Sequence, residues 1–387
     1  METQPENIKF EILLSSDYPD ILNLCQAYPS FDQVCQKDYF WSSKAEKDFG
    51  VLPQEFNLIP GNSRQRYEWI MKADPDRALI LASKIGSLQL VKYFLNRGAN
   101  DFYMALRASA RGGHLDIVKL MIKKGADDFN EGLIAAARGG HLDIVKLMIK
   151  KGAEDFDRAL VAAARGGHLD IVNFLIKKGA NDFNEGLAAA ARGGHLDIIN
   201  LMIDKDANSF DRALIAAARG GYLDIVKLMI KKGANDFNEG LAAAARGGHL
   251  DIVNFLIKKG AEDFGEALVA AAAGGNLDIV KLMIKKGAED FDSALNAAAW
   301  NGHLAIVKFL LGKGASDLNG GLMSAARNGH YDVVKFLLEK GATSYNEAIS
   351  FALTSAKYRV IGLISDYAEA NTEKYTEDDL SDSDSEE

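Results

Sequence analysis

A segment of 27 residues repeats along most of this chain and limits what the chain can fold into. The stretch NEGLIAAARGGHLDIVKLMIKKGAEDF, residues 130–156, returns before and after this point with few changes. A Gly-Ala pair marks the register every 27 residues, and only Asp206-Ala207 breaks the series. Counted from Asp76, eleven copies end at Thr372, and the first and last are degenerate, as is typical of terminal copies that face water.

Each copy predicts two short antiparallel helices. Asn130 and its equivalents are predicted N-caps, and an alanine-rich first helix ends at Gly139-Gly140. The second helix, residues 142–151, is apolar on most sides and must be covered. Helices this short are marginal in isolation, so each copy depends on its neighbours. The predicted fold class is all-α: a solenoid of about eleven helix-turn-helix repeats with a small N-terminal helical module.

The segment AAARGGHLDIVKLMIKKGA, residues 135–153, resembles the ankyrin repeat, and the resemblance extends over residues 76–372. Two features differ from that family. The period is 27 instead of about 33 residues, and Glu131-Gly132-Leu133-Ile134 replaces the Thr-Pro-Leu-His signature. The missing residues lie where ankyrin repeats carry a projecting β-turn finger. We therefore expect an all-helical array with short fingers that binds through its helix faces.

Residues 1–75 contain no repeat and predict a separate helical module. They hold all six prolines, both cysteines and two of the three tryptophans. The spacing DILNLC, FDQVC and YFW resembles the F-box, a three-helix motif that docks on a Skp-type adaptor of cullin-RING ubiquitin ligases. The resemblance runs from Ile8 to Gly50, although Lys9-Phe10 replaces the opening Leu-Pro of that family.

The F-box resemblance implies an adaptor-binding set within the module. An F-box-like segment joined to ankyrin repeats is also similar to proteins of large DNA viruses, which implies a host protein as the target. The alternative is that residues 1–75 only cap the first exposed face of the solenoid. The implied adaptor-binding residues are Ile12, Leu13, Ile21, Leu22, Leu24, Phe31, Val34 and Trp41.

The charge is concentrated at the end of the chain. The net charge is -9, and residues 371–387 hold eight acidic residues and one lysine. The rest of the chain is nearly neutral, which argues against nucleic-acid binding. The segment 373–387 is predicted to be a disordered acidic tail that serves solubility. The alternative is that acidic-directed kinases phosphorylate its serines, which lie among acidic residues.

Nothing in the sequence predicts a membrane segment or a signal peptide. The first residues, METQPENIKF, are polar and acidic, and no apolar run approaches the length of a membrane span. Two cysteines, Cys25 and Cys35, agree with a reducing compartment. We therefore predict a cytoplasmic protein, in the host cell cytoplasm if the chain is viral.

The histidines argue against catalysis. All of them occupy the same position of the repeat, which predicts hydrogen bonds to the turn backbone and leaves none for acid-base chemistry. The cysteines have no basic partner nearby in sequence, and no phosphate-binding loop is present. We predict a non-enzymatic protein without cofactor, metal or small-molecule ligand. The histidines are His114, His141, His168, His195, His249, His303 and His330.

A column of arginines precedes the Gly-His turn, at a position that the ankyrin resemblance assigns to the concave binding surface. Arginine at a helix C-terminus also complements the helix dipole, which is the simpler explanation. The column changes at Ala273, Trp300-Asn301 and Arg327-Asn328. Tryptophan is enriched at binding hot spots, so we predict partner binding there. The column itself comprises Arg111, Arg138, Arg165, Arg192, Arg219 and Arg246.

These features predict a protein-protein interaction function. The favoured hypothesis is a substrate receptor that presents a captured protein to a cullin-RING ubiquitin ligase through its F-box-like segment. The alternative is an ankyrin scaffold or sequestering protein with no ligase link, in which residues 1–75 act only as a cap. For the Trp300 site, the alternative is that the ring packs onto neighbouring repeats.

Overall fold

A computed structural model describes residues 5–381, with side chains through residue 370. Within this range the chain forms twenty-eight α-helices and no strand, so the predicted all-α fold class is confirmed. The chain divides into two compact units, the first ending at Asp182 and the second beginning at Phe183. Unit 1 and unit 2 are described separately below.

Unit 1 contains the N-terminal module and four helix pairs. The module comprises α1 (Glu6–Ser15), α2 (Tyr18–Ala27), α3 (Pro29–Cys35), α4 (Asp38–Phe49), α5 (Pro53–Phe56) and α6 (Ser63–Lys72). The pairs are α7 (Pro75–Ile85) with α8 (Leu88–Asn96), α9 (Phe102–Gly112) with α10 (Leu115–Lys123), α11 (Phe129–Gly139) with α12 (Leu142–Lys150), and α13 (Phe156–Gly166) with α14 (Leu169–Lys177).

Unit 2 contains seven helix pairs, which makes eleven pairs in the described chain, as the repeat count predicts. They are α15 (Phe183–Gly193) with α16 (Leu196–Asp204), α17 (Phe210–Gly220) with α18 (Leu223–Lys231), α19 (Phe237–Gly247) with α20 (Leu250–Lys258), α21 (Phe264–Gly274) with α22 (Leu277–Lys285), α23 (Phe291–Trp300) with α24 (Leu304–Leu311), α25 (Leu318–Asn328) with α26 (Tyr331–Glu339), and α27 (Tyr345–Thr354) with α28 (Tyr358–Ser381).

The last helix enters the segment 373–387, whose disorder stays a prediction. Helix α28 extends to Ser381 and therefore includes the first part of that segment. Its beginning is anchored by the buried side chains of Val360 and Ile364. Once a helix is nucleated, each added residue contributes one further backbone hydrogen bond, which favours continuation into the acidic stretch. The remaining tail, residues 382–387, lies outside the described residues.

One helix pair illustrates why the sequence folds this way. Asp128 precedes α11, and its side chain accepts a hydrogen bond from the Glu131 amide at 3.0 Å. Gly140 ends α11 in the left-handed conformation, with φ of 85°, which favours glycine. The second helix buries Val145 and Met148 completely against its neighbours. The loop that joins α10 to α11, residues 124–128, is short, so the prediction of short fingers is confirmed.

Asn130 is not the N-cap that the sequence suggested. It is the second residue of α11, and its Oδ1 atom accepts hydrogen bonds from the Glu154 and Asp155 amides at 2.9 and 3.0 Å. These amides belong to the loop before the next pair, where the absent finger leaves backbone donors to be satisfied. The residue therefore joins one repeat to the next. The same paired bonds are made by Asp76, Asp157, Asn184, Asp211, Asn238, Asp292 and Asn319.

Two cysteines are joined in the N-terminal module. Cys25 at the end of α2 and Cys35 at the end of α3 form a disulfide bond, and both side chains are buried. Two cysteines agreed with a reducing compartment in the sequence, because their number alone gives no indication of pairing. Helices α2 and α3 pack against each other, which brings the two residues together. A disulfide is typical of oxidising compartments and counts against the predicted reducing one.

Candidate functional site

The repeated histidines hydrogen-bond to backbone, as predicted. The Nε2 atom of His141 lies 3.2 Å from the Arg111 carbonyl oxygen, which is an acceptor, so Nε2 carries the donated hydrogen. The acceptor is in the last turn of the preceding first helix, where carbonyl groups lack helical partners. The same bond is made by His114, His168, His249, His303 and His330, at 2.9 to 3.2 Å.

The arginine column lies in the last turns of the first helices, where its charge complements the helix dipole. In unit 1, Arg111 and Arg165 are exposed, and Arg138 is half-buried. In unit 2, Arg192, Arg219 and Arg246 are exposed. The backbone carbonyls of Arg111, Arg138 and Arg219 accept the histidine bonds. These positions therefore have a structural role, and partner binding by their side chains stays a prediction.

Trp300 lies at the end of α23 in unit 2, and 41% of the residue surface is exposed. The alternative of a ring buried among neighbouring repeats does not describe this residue. Its backbone carbonyl accepts a hydrogen bond from His330 at 2.9 Å, which fixes the turn below the ring. The guanidinium carbon of Arg327, in the next first helix, lies 5.3 Å from the centre of the ring.

The other residues predicted for this site have mostly local contacts. Ala273 is half-buried at the end of α21, and its carbonyl accepts the His303 bond at 3.2 Å. The amide groups of Asn301 and Asn328 donate to carbonyls of their own helices, to Ala297 at 2.9 Å and to Ser324 at 3.4 Å. Both asparagine side chains therefore satisfy backbone carbonyl groups at the C-terminal ends of their helices. Within the predicted set, Trp300 and Arg327 are the two whose side chains contact each other.

Phe351 belongs to this surface and was missed in the sequence. It lies in α27 with 37% exposure, and the Arg327 guanidinium carbon is 5.7 Å from its ring centre. The repeat register offers one signal, because the equivalent residues of the two preceding copies are Ala297 and Ser324. An aromatic residue in a column of small residues could have been noticed. We call Trp300, Arg327 and Phe351 the aromatic-arginine stack.

The adaptor-binding residues predicted in the module divide into two groups. Ile12, Leu22 and Leu24 are half-exposed on α1 and α2. The others form the core of the module and are not available to a partner. The reason is that a small module must bury most of its large apolar side chains to form a core, and these five are part of that core. The buried residues are Leu13, Ile21, Phe31, Val34 and Trp41.

The module also packs against the first helix pair of unit 1. The rings of Phe49 and Tyr93 lie 5.1 Å apart, and those of Trp69 and Phe94 lie 5.9 Å apart. Arg97 donates a hydrogen bond to the Ile70 carbonyl at 3.0 Å. Apolar surface of the first repeat is therefore covered by the module, as a cap would cover it.

A polar network stiffens the same module. The hydroxyl of Tyr18 donates to Glu68, and Arg64 donates to the same carboxylate at 3.0 Å. Burial, together with the hydrogen bond to Glu68, raises the pKa of Tyr18 to about 12. The Tyr18 hydroxyl is therefore protonated at neutral pH and acts as a hydrogen-bond donor. This arrangement is structural.

One concave apolar surface remains on the module. It lies between α1 and α4, has a volume of about 880 Å³, and includes the exposed side chains of Ile8 and Tyr39 beside Phe10 and Ile12. Glu6 and Glu11 also line it. Among the described side chains, no group of three His, Cys, Asp or Glu residues is placed to hold a metal ion. Of the helices in residues 5–381, none has the length and apolar character required to cross a bilayer.

The stacked pairs, their histidine bonds and their exposed helix ends define a helical-repeat protein of the kind that binds other macromolecules. Comparison with known families agrees. The profile that describes ankyrin repeats in three copies matches residues 108–186, 163–239, 187–266, 241–320 and 268–348, which together run over more than half of the chain. The chain belongs to the ankyrin-repeat family, whose members bind protein partners. No curated protein matches the chain.

Proposed function

We propose that this protein is a non-catalytic binding protein that holds a partner protein on the unit 2 surface around Trp300. The observation that carries the proposal is the exposure of 41% of a tryptophan at the end of α23. At the same position of the array, the copies before it present Ala273 and Arg246. Near-identical repeats offer the same surface again and again, whereas a specific partner needs a surface that differs from its neighbours.

Energetics also favour this surface. An exposed tryptophan ring buries a large apolar area when a partner covers it, and hot spots are enriched in tryptophan and arginine. The backbone beneath the ring is held by the His330 bond, so little ordering is needed on binding. Arg327 covers one side of the ring and supplies a charged group beside it.

A quantitative pull-down tests the proposal. The full chain and its Trp300→Ala variant are used to capture proteins from cells, and each captured protein is quantified by mass spectrometry. Tyr103→Ala is the matched control, because Tyr103 is similarly exposed, at 39%, but lies in unit 1. We expect a protein whose recovery falls in the Trp300 variant and not in the control. Equal recovery of every captured protein from both variants would contradict the proposal.

For residues 1–75, the geometry favours the cap without a ligase link. The packing of Phe49 and Trp69 on the first repeat supports this function, as does the burial of five predicted adaptor-binding residues. In this proposal the chain is a scaffold or sequestering protein.

A substrate receptor of a cullin-RING ubiquitin ligase is the second candidate. The exposed apolar surface between α1 and α4 favours it, since apolar surface left exposed on a small module is suited to a partner. Contact with a Skp-type adaptor would then use Ile12, Leu22 and Leu24 instead of the whole predicted set.

The F-box-like segment, the similarity to viral ankyrin proteins and a cytoplasmic location in a host cell belong to this second candidate. The Cys25–Cys35 disulfide is an argument against a cytoplasmic location. Thiol titration of the full chain, isolated after rapid acid quenching, tests this point. Two free thiols per chain would favour the cytoplasm, and none would favour an oxidising compartment.

A further inference from the structure

Arg327 lies between two aromatic rings contributed by the first helices on either side of it. Its guanidinium carbon is 5.3 Å from the centre of Trp300 in α23 and 5.7 Å from the centre of Phe351 in α27. At such distances a guanidinium is attracted to each ring face. Both rings and the arginine are exposed, so the stack lies open to solvent. The two rings restrict the positions that the guanidinium can adopt.

This arginine has no carboxylate of its own. Among the described residues, no ion pair or hydrogen bond involves the Arg327 side chain, whose five N–H groups are donors only. Other arginines of the array are paired across repeats: Arg212 with Glu185 in unit 2, and Arg158 with Glu131 at 2.8 Å in unit 1. The Arg327 guanidinium is therefore positioned by two aromatic rings, and its N–H groups have no protein acceptor among the described residues.

A second cation lies nearby. Lys357 occupies the repeat position that holds histidine in most earlier copies. Its methylene chain lies over Gly329, two residues beyond Arg327, where an added Cβ would be only 2.8 Å from the lysine Cδ atom. Within the described residues Lys357 also has no ion pair. Long cationic side chains cover apolar or backbone surface with their stems and keep the charge in water, which leaves the ammonium available.

We propose that the aromatic-arginine stack is the receptor for an acidic peptide segment of the partner. The partner carboxylate binds the Arg327 guanidinium through two parallel hydrogen bonds, and an apolar side chain beside it packs on Trp300 or Phe351. This inference rests on the proposed function, because it names the chemistry recognised at the same surface.

Charge complementarity and preorganisation support this occupant. The planar guanidinium matches a carboxylate in geometry, and a guanidinium already held by two rings loses less freedom on binding. A phosphate group is recognised by clusters of arginines, whereas this surface offers one arginine and one lysine. A nucleic-acid strand is disfavoured by the net charge of -9.

A peptide selection on the full chain tests the inference. A random peptide library is selected against the wild-type protein, the Arg327→Gln and Trp300→Ala variants, and the Arg212→Gln control. Arg212 is an exposed arginine of unit 2 that is paired with Glu185 and is not among the predicted partner-binding residues. We expect peptides with Asp or Glu beside an apolar residue to be selected by the wild type and by the control, and not by the other two variants.

The selected peptides then give quantitative results. Changing the acidic residue of a selected peptide to its amide is expected to weaken binding to the wild type about tenfold, and to change binding to Arg327→Gln by less than about twofold. Arg327→Lys should not restore affinity, since lysine lacks the planar fork. An unchanged thermal unfolding midpoint in each variant shows that the fold is retained.

Four results would overturn the inference. If the selected peptides depend on Trp300 but show no preference for Asp or Glu, carboxylate recognition is wrong and the proposed function is unaffected. Peptide binding that depends on neither Trp300 nor Arg327 would contradict both the acidic-peptide inference and the proposed function. Phosphoserine peptides that bind where their carboxylate counterparts do not would assign the stack to a phosphopeptide. Peptide binding about fivefold tighter after removal of residues 382–387 would identify the chain's own acidic end as the occupant.

Discussion

The Oδ1 atom of Asp292 accepts a hydrogen bond from the backbone amide of Asp317 at 2.9 Å, and this bond joins one repeat to the loop that opens the next. The same oxygen accepts from the Ser316 amide at 2.6 Å. Hydrogen bonds from the Asp317 and Ser316 amides hold the pKa of Asp292 below its ordinary value of 3.8. Charged acceptors make the shorter and stronger hydrogen bonds. The join between repeats is therefore sensitive to protonation of a single carboxyl group.

Acid is expected to weaken this join. Because the pKa of Asp292 is lower in the folded chain than in the unfolded chain, its contribution to stability is complete above about pH 3.8 and is lost as the pH falls through the folded value. The Asp292→Asn variant keeps an Oδ1 acceptor and does not titrate. We expect the thermal unfolding midpoint to fall less between pH 7 and about pH 3 in this variant than in the wild type.

The chain itself provides the control for that comparison. Asparagine makes the same two bonds at the equivalent position of other copies, for example Asn319 to the Thr343 and Ser344 amides at 2.8 and 3.0 Å. The asparagine variant should therefore match the wild type closely at pH 7. Asp292→Ala should be less stable at pH 7 by about 1 kcal/mol, since it loses both bonds. An identical acid response in Asp292→Asn and the wild type would contradict the prediction.

At Gly265, the contact between one repeat and the next loop lacks these two hydrogen bonds. Gly265 stands at the position of Asp292 in the preceding copy, and without a side chain it gives the Glu289 and Asp290 amides no acceptor. A Cβ atom added there meets only the Asp263 carboxylate, at 3.7 Å, which is ordinary contact. Gly265→Asn is expected to stabilise unit 2 by about 1–2 kcal/mol, through two bonds and a better helix former.

The urea unfolding midpoint measures this effect, and Gly265→Ala is the matched control. Alanine gains only the helix propensity, worth about 0.5–1 kcal/mol, and offers no acceptor. Amide hydrogen exchange at Glu289 and Asp290 should slow in the asparagine variant and not in the alanine variant. Equal exchange rates at these two amides in the asparagine and alanine variants would mean that the side-chain bonds do not form between these two repeats.

Asp206 is expected to destabilise the turn it occupies. The sequence predicted a left-handed conformation there, and its φ of 65° confirms that prediction. A non-glycine residue in this region is strained by about 1 kcal/mol, so Asp206→Gly should raise the thermal unfolding midpoint. The Asp206→Asn variant distinguishes the effect of the charge on stability from the effect of the backbone conformation, because asparagine removes the charge and keeps a side chain of similar size. A lower midpoint for the glycine variant, or an equal rise in both variants, would be against this explanation.

Period and turn chemistry made most of the fold predictable. The 27-residue register predicted the helix pairs, and a histidine that recurs at one position in seven copies, such as His141, could be assigned a backbone role because a repeated residue has a repeated environment. The N-cap was placed two residues late, at Asn130 instead of Asp128. Both residues suit a cap, and only the three-dimensional neighbourhood of the next repeat distinguishes them.

The site was harder to predict, for a physical reason. The F-box resemblance implied that Leu13 and Phe31 would be free for an adaptor, but a small module must bury such side chains to fold. Trp300 was identified because it interrupts a uniform column. Phe351 was not, because its contact with Arg327 joins two different columns of the array. Contacts between columns depend on how successive helices pack, and the repeat pattern does not contain that information.

Leu22 and Leu24 provide the test of the ligase hypothesis. Both are half-exposed on α2, so their change to aspartate should leave the module core intact. If the module binds a Skp-type adaptor, the double variant of the full chain should lose capture of purified adaptor in a pull-down. Asn23→Asp is the control, since it adds a charge to the exposed face of the same helix. No capture by the wild type, or equal capture by the double variant, would favour the cap.

Trp300→Ala is expected to weaken partner capture about tenfold or more, because truncating a hot-spot tryptophan costs about 2 kcal/mol or more. The fold should not change, since the ring is 41% exposed and the hydrogen bond from His330 goes to the backbone carbonyl, which alanine retains. Alanine also suits the end of a helix that is already rich in it. Titration of the identified partner against the wild type, the variant and Tyr103→Ala measures the effect. Unchanged affinity in all three would move the site to the exposed arginines of unit 2, beginning with Arg246, whose exposed side chain occupies the same register two copies earlier.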